Sequence, residues 1–274
     1  MHPELITIGN FTITTFGLAM ALAFLSAYTV VLLELKRQNA DPDLAADILL
    51  GALIGGILGA KIYYVLLYWD RTVLDPVAML TAREGLVWYG GLVGGSLGAI
   101  LMLRRRKASI AFGADLVAPA LSIGYMVGRL GCFGVGDDYG RPTDSWVGVK
   151  FPQGAPPTTA GNLRRWGAEV DPAIPDTEVL AVHPTQLYES AMALVIFVVL
   201  WKLRKRPRAQ GSLFALWMVL AGVERLIVEV FRAKDDRFFG PLTLAQVISV
   251  ALIAGGIYIL YRLGRGRPAK AASG

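Results

Sequence analysis

Apolar residues in this chain gather in long blocks instead of alternating with polar ones. Seven stretches, roughly 14–35, 45–68, 86–103, 113–132, 184–201, 211–231 and 242–262, approach the 20 or so mostly apolar residues that a helix needs to cross a bilayer. The pattern predicts an all-α integral membrane protein with seven transmembrane helices, forming a single membrane-embedded domain over residues 1–274. Spans two, three and four carry "GALIGGILGA", "GGLVGGSLGA" and "SIGYMVGRLG". Glycines at that spacing let helix backbones approach closely in lipid, so a compact bundle is expected.

The polar connections orient the bundle. One alternating set holds "KR" at 36–37, "RRRK" at 104–107, "KLRKRPR" at 202–208 and the tail "RLGRGRPAK"; the other set is poorer in Lys and Arg for its length. Positive charge marks the cytoplasmic side, which puts the C-terminus inside and the N-terminus outside. The longest connection, 133–183, then lies on the outer face between spans four and five, and its Pro, Gly and Thr content reads as loop. Connections of that length are often functional. No internal repeat is evident, and an odd number of spans argues against a duplicated transporter.

Composition agrees with a lipid solvent. The chain is 54% hydrophobic and 18% charged, with a mean hydropathy of +0.51, against about 25% charged in soluble domains. The net charge of +6 reflects the basic connections, and no basic recognition module for nucleic acid appears. A lone cysteine, Cys132, excludes an intrachain disulfide and a cysteine-based metal cage, and reads as a small buried residue. The first twenty residues lack a basic n-region and a small-residue cleavage site, so the first apolar block is expected to be a retained span.

Against this background a few charges are out of place. Lys61, Arg129, Glu189 and the series Glu224, Arg225, Glu229 and Arg232 fall within apolar blocks or at their ends. Such residues are costly in lipid and face a cavity or a partner. A lysine like Lys61 snorkels to an interface. Arg225, Glu229 and Arg232 share one helix face, with Glu224 turned about 100° away from Arg225. Two explanations stand for that stripe: a self-neutralising ion pair that pins helices, or an acid that aims an arginine at an anionic ligand. By the span assignment Arg129, Glu189, Arg225 and Glu229 all approach the outer half of the membrane. Two guanidiniums there suit one lipid phosphate, since the planar fork binds phosphate bidentately. Gly131, Gly134, Gly136 and Gly140 are expected to allow tight turns and positive φ where the chain leaves span four.

Several motifs together carry a resemblance. "GRLGCFGVGDDYGRPTD" (128–144), "HPTQLYE" (183–189), "YGGLVGG" (89–95), "ERLIVEVFR" (224–232) and "FGLAM" (16–20) resemble, in order and in span, those of the prolipoprotein diacylglyceryl transferase family. The resemblance covers about residues 14–262. It implies transfer of the diacylglyceryl group from phosphatidylglycerol to the lipobox cysteine of a prolipoprotein signal peptide, with release of glycerol 1-phosphate. The reaction would occur in the bacterial cytoplasmic (inner) membrane, at its outer face, with no metal or cofactor. Carried over by position, Arg129 would bind the phosphate and Arg225 would stabilise the leaving group. Glu229 would position an arginine, Gly140 would shape the head-group loop, and Asp137 and Arg141 would belong to that loop's polar network. A thiol has an ordinary pKa of about 8.5, so the acceptor needs a base or a field favouring thiolate.

Three positions depart from the family pattern. Tyr89 stands where a histidine base is usual, Phe16 where a tyrosine is usual, and Cys132 where asparagine is common. Asp137 also takes the place of a glutamate. With His2 at the terminus, His183 is the remaining histidine, either fixing the start of span five or taking a proton. The candidate catalytic residues are therefore Arg225, Tyr89, Glu229 and His183, and the substrate-binding ones Arg129, Gly140, Asp137 and Arg141. The alternatives are a divergent homologue that binds phospholipid with another acceptor or without catalysis, and a small polytopic transporter.

Overall fold

A computed structural model describes residues 4–8, 11–82, 87–233, 237–239 and 242–265. The helices are α1 (Thr15–Arg37), α2 (Asp43–Leu67), α3 (Trp69–Leu74), α4 (Pro76–Thr81), α5 (Trp88–Arg105), α6 (Ile110–Val135), α7 (Ala160–Arg165), α8 (Thr185–Leu203), α9 (Ser212–Glu229) and α10 (Leu244–Arg265). Each of the seven apolar blocks holds one long helix. Five of these, α1, α2, α6, α8 and α10, are long and apolar enough to cross a membrane. The other two have 18 residues each. In α5 the five glycines and the terminal Arg104 and Arg105 dilute the apolar run, and in α9 the charges Glu224, Arg225 and Glu229 do so.

The expected all-α architecture is modified by three small antiparallel pairs: β1 (Glu4–Ile8) with β2 (Phe11–Thr14), β3 (Val149–Lys150) with β4 (Ala181–Val182), and β5 (Arg237–Phe239) with β6 (Leu242–Thr243). The chain divides into two compact units, Tyr28–Leu116 on one hand and Met1–Ala27 with Val117–Gly274 on the other; the boundaries fall within α1 and α6.

In the 28–116 unit, α2 and α5 run antiparallel with backbone against backbone. A Cβ on Gly98 would lie 2.0 Å from the Gly51 carbonyl oxygen, one on Gly94 2.2 Å from that of Gly55, and one on Gly90 2.3 Å from that of Gly59. The four-residue spacing on both helices brings glycine to glycine at each turn, and no other residue fits. Lys61, on α2, donates to the carbonyl of Ala82 (2.6 Å), just after α4. Its ammonium therefore stabilises the carbonyl end of a short helix, a cation at the negative end of the dipole. Arg106 after α5 pairs with Asp41 (3.4 Å) and with Asp47.

In the larger unit, α6, α8 and α9 share a core of Ala118, Ile196, Leu200 and Leu213, while α10 closes on α9 where Gly222 and Gly256 leave no room for a Cβ. Helix α6 continues past the expected exit to Val135, so Gly131 and Gly134 are helical. Their missing side chains admit α1 instead of a turn, with Cβ positions 2.3 Å from Ala19 and 2.8 Å from Thr15. The long connection builds a core of Tyr139, Phe151, Leu163 and Val182, joined by Ala233 from just after α9. Tyr139 stacks on Phe151 at 5.5 Å, and the buried Thr158 hydroxyl donates to the Leu180 carbonyl (2.8 Å) and accepts from the Phe151 amide (3.1 Å). It is an ordered module, because its apolar residues meet one another.

Candidate active site

Three elements and one loop of the larger unit bring their charges to one place. Arg129 comes from α6, Glu189 from the second turn of α8, and Arg225 and Glu229 from the last turns of α9. Glu189 is the hub and is 1% exposed. Its Oε2 lies 2.8 Å from Arg129 Nε, and its Oε1 lies 3.3 Å from Arg225 Nη1. Tyr125, one turn before Arg129 on α6, donates its hydroxyl to the same Oε1 (3.1 Å), and the Arg129 guanidinium sits over the Tyr125 ring at 5.1 Å. The Arg129 Nε–Oε2 contact is too bent to count as a hydrogen bond, so at 2.8 Å it acts as an ion pair. Arg225 Nη2 meets Glu229 Oε2 at 2.8 Å in the same bent way. Glu229 Oε1 accepts from the Thr243 hydroxyl (2.7 Å) at the entry to α10.

The loop after α6 closes the other side. Gly136 takes φ +75° and Asp138 φ +53°, so the chain doubles back over the end of α6. Asp138 then reaches Arg129 Nη1 (2.9 Å) and Arg232 Nη2 (3.9 Å). Helix α9 ends at Glu229, before Arg232, yet Arg232 Nε still lies 3.9 Å from Glu229. Arg232 is held by a bridge to Gly140, next to which the Arg141 amide donates to the Phe231 carbonyl (2.9 Å) and the Gly140 amide to the His183 carbonyl (2.8 Å). Gly140 has no positive φ. It is glycine because a Cβ there would lie 2.4 Å from the Phe231 oxygen and 2.9 Å from His183 Cβ. The expected turn function belongs to Gly136 alone among the four glycines noted in the sequence. A small cavity of about 100 Å³, lined by Asp138, Tyr139, Trp166 and Arg232, lies beside this network.

The family model described as prolipoprotein diacylglyceryl transferase matches residues 3–262. The chain belongs to that family. It is 34% identical over 270 residues, 95% of this chain and 90% of the relative, to the phosphatidylglycerol–prolipoprotein diacylglyceryl transferase of Xanthomonas oryzae pv. oryzae. It is 32% identical over 262 residues, 93% of this chain and 87% of the relative, to the protein of that name from Nostoc sp..

In this member of the diacylglyceryl transferase family, Arg129, Arg225, Glu229, Gly140, Arg141, Asp137 and His183 all lie in the larger unit. Tyr89 belongs to the other unit, where it is partly exposed at the start of α5 with its ring edge-on to Trp88 at 5.1 Å. His183 Nδ1 lies 3.1 Å from the Tyr188 hydroxyl and its ring packs edge-on to Phe231 at 5.1 Å. Burial, and then the Arg141 cation, hold its imidazole below the usual range. The Arg141 guanidinium is exposed and, among the described residues, makes no side-chain hydrogen bond or ion pair. Among the described residues Asp137 forms no ion pair with the arginines: its backbone carbonyl accepts from Gln186 Nε2, and its buried Oδ1 has no donor. Burial, then the charge of Asp138, pushes its carboxyl up. Cys132 is buried, with Arg129 Nη1 3.9 Å from its sulfur. Among the described residues no three His, Cys, Asp or Glu side chains gather to hold a metal ion.

Among the described residues the ion pairs of the network balance. Three guanidiniums face three carboxylates, Glu189, Glu229 and Asp138. Glu189 and Glu229 are buried, whereas the Asp138 side chain is 50% exposed. Asp138, Tyr125 and Thr243 were not singled out from the sequence. Asp138 had a signal, because it neighbours Asp137 in the glycine-rich stretch, but only the positive φ of the turn decides which of the two faces the arginines.

Proposed function

We propose that this chain transfers the diacylglyceryl group of phosphatidylglycerol to the lipobox cysteine of prolipoproteins and releases glycerol 1-phosphate. In this reading all seven long helices cross the bacterial cytoplasmic membrane as one catalytic domain, with α5 and α9 as short spans. The N-terminus and the 133–183 loop lie outside and the C-terminus in the cytoplasm. The observation that carries the reading is the Glu189 bridge. Two guanidiniums that share one carboxylate stand within joint reach of one phosphate group.

The chemistry follows from that arrangement. The phosphate of phosphatidylglycerol displaces Asp138, the exposed acid among the described ion pairs, from Arg129 Nη1 and Arg232, and Arg225 is the second cation on it, facing the oxygen that leaves. Glu189 and Glu229 keep Arg129 and Arg225 in position in the absence of ligand. The cysteine sulfur attacks the glyceryl carbon, a C–S bond forms, and the C–O bond to phosphate breaks with its electron pair passing to oxygen. The charge that grows there meets preorganised cations in a site partly shielded from water, where they act most strongly. Gly140 allows the loop to lie against Phe231 and His183, Asp137 anchors it through Gln186, and the free Arg141 faces the head group. Tyr89 and His183 enter as candidate proton handlers from their places in the family motifs.

The purified full chain, incubated with phosphatidylglycerol vesicles and a lipobox peptide, is expected to yield thioether-linked diacylglyceryl peptide and an equal amount of glycerol 1-phosphate, and Arg129→Ala to abolish both. One observation favours a second reading, phospholipid binding without transfer: the complete neutralisation of the arginines. Saturable binding of phosphatidylglycerol with no peptide product would establish it.

A further inference from the structure

Helix α9 packs onto α6 and α8 with one stripe of residues. Leu213, Trp217 and Leu220 lie in or against the Ala118–Ile196–Leu200 cluster, and Val228 is fully buried. The spacing of four, three and then eight residues leaves one position of the stripe to be filled between Leu220 and Val228. That position is Glu224. Packing calls for an aliphatic side chain there, yet the chain places a carboxylate at 7% exposure. The opposite side of α9 is occupied by α10, since a Cβ on Gly222 would lie 2.8 Å from the Ser249 carbonyl oxygen. Glu224 therefore faces inward, toward α6 and α8.

A structural ion pair does not explain it. Among the described residues Glu224 Oε1 has no hydrogen-bond partner, and no ion pair holds the carboxylate. The neighbouring guanidiniums are committed elsewhere, Arg129 to Glu189 and Asp138 and Arg225 to Glu189 and Glu229. The ionisable groups that act on Glu224 are Glu189 on α8, Arg129 and Tyr125 on α6, and Arg225 on its own helix. The part of α1 in this unit, residues 15–27, has no ionisable side chain. Burying an uncompensated carboxylate costs several kcal/mol, so the residue weakens the fold where it stands. Ionisable groups kept inside a membrane bundle at such a cost serve proton or ligand chemistry.

On the basis of the transferase reading, we propose that Glu224 is the catalytic base that takes the thiol proton of the incoming lipobox cysteine. Glu189 and Glu229 are unsuited to that task, because their oxygens are already engaged by guanidiniums and by the Tyr125 and Thr243 hydroxyls. Glu224 has an acceptor atom without a donor and lies beside the arginines that bind the phosphate. The step balances. Glu224 carboxylate accepts the S–H proton, the sulfur forms the C–S bond, and the glyceryl C–O bond breaks onto phosphate. Glu224 then returns the proton to the departing glycerol 1-phosphate.

The test is Glu224→Gln in the full chain, assayed with phosphatidylglycerol vesicles and a lipobox peptide. General-base catalysis contributes about 10²–10⁴-fold, so kcat is expected to fall by about 100-fold or more while KM for phosphatidylglycerol changes by less than about threefold. The acid limb of the wild-type pH–rate profile is expected to move from its wild-type position to one that follows only the thiolate fraction of the peptide, whose ordinary pKa is about 8.5. Glu224→Leu completes the apolar stripe and is expected to melt at a higher temperature while losing transfer, which separates chemistry from folding. A Glu224→Gln protein with the wild-type kcat and pH profile overturns the proposal, as does a kcat loss with the acid limb intact. A wild-type chain that binds phosphatidylglycerol but makes no product overturns the transferase reading and this inference with it.

Discussion

The α2–α5 seam and the arginine network hold helices together by opposite means. The seam has no polar side chains at its centre and no ligand to wait for; its glycines bring backbones so close that a single methyl has nowhere to go. The network joins side chains from three helices and a loop by ion pairs centred on Glu189, at the cost of desolvating the arginines and the two buried acids. In lipid, association gains nothing from hiding apolar surface, so both solutions rely on contact and on electrostatics. They differ in what a small change does. The seam tolerates no added volume, and the network tolerates no lost charge.

The largest expected effect is on the network. Glu189→Ala leaves Arg129 and Arg225 facing each other with no shared anion. Breaking a buried pair by removing one partner costs about 3–5 kcal/mol, and here one acid serves two cations. Glu189→Ala is expected to lower the thermal unfolding temperature in detergent more than any single alanine in the seam lining, and to abolish diacylglyceryl transfer. An unchanged melting temperature would reduce the Glu189 bridge to a surface-like contact.

The seam is tested within one helix. A Cβ on Gly55 would lie 2.3 Å from the Gly94 oxygen, whereas one on Gly56 finds its nearest atom at 3.6 Å. Gly55→Ala forces backbones apart and is expected to destabilise by about 1–3 kcal/mol, as overpacking does. Gly56→Ala adds helix propensity without a clash and is expected to be neutral or to stabilise by up to about 1 kcal/mol. Thermal melts of the two variants in one detergent decide the matter. Equal losses would mean that helix α2 meets α5 through a different face.

The two regions were also unequally legible in the sequence. The glycine spacing announced close packing of spans two and three, but a period of four on both helices allows several registers. Only the structure pairs Gly51 with Gly98, Gly55 with Gly94 and Gly59 with Gly90. For the network, the positions of Arg129 and Arg225 at helix ends foretold convergence. The bridge itself was hidden, because periodicity says which residues share a face of one helix and nothing about how three helices are rotated against each other. Glycine was misjudged for a related reason. Gly131, Gly134 and Gly140 were expected to bend the chain, yet each is glycine because a neighbour distant in sequence occupies the space of a side chain. Asp138 was passed over because adjacent loop residues look alike until φ is known. Glu224, in contrast, was visible as a charge off the Arg225 face, and only the stripe on α9 reveals that it occupies a core position.

The smallest expected effect concerns the one acid that the network can release. Burial would raise the Asp138 carboxyl, but Arg129 first, and then Arg232, outweigh it and hold the group below the usual carboxylate range. A carboxylate with a depressed folded-state pKa contributes stability that is fully present above its unfolded value of about 3.9, and that is lost as pH falls through the lower folded value. Asp138→Asn is therefore expected to flatten the acid side of the stability profile below about pH 4 and to leave the neutral side almost unchanged, since a half-exposed pair is worth no more than about 1 kcal/mol. Function should respond in the other direction. The substitution removes the anion that competes with phosphate for Arg129 and Arg232, so KM for phosphatidylglycerol is expected to fall by up to about fivefold, with kcat little altered. A rise in KM would mean that Asp138 holds the arginines in place as Glu189 does, and the network would then have no releasable acid: its two halves would be equally rigid, and the phosphate would need another point of entry.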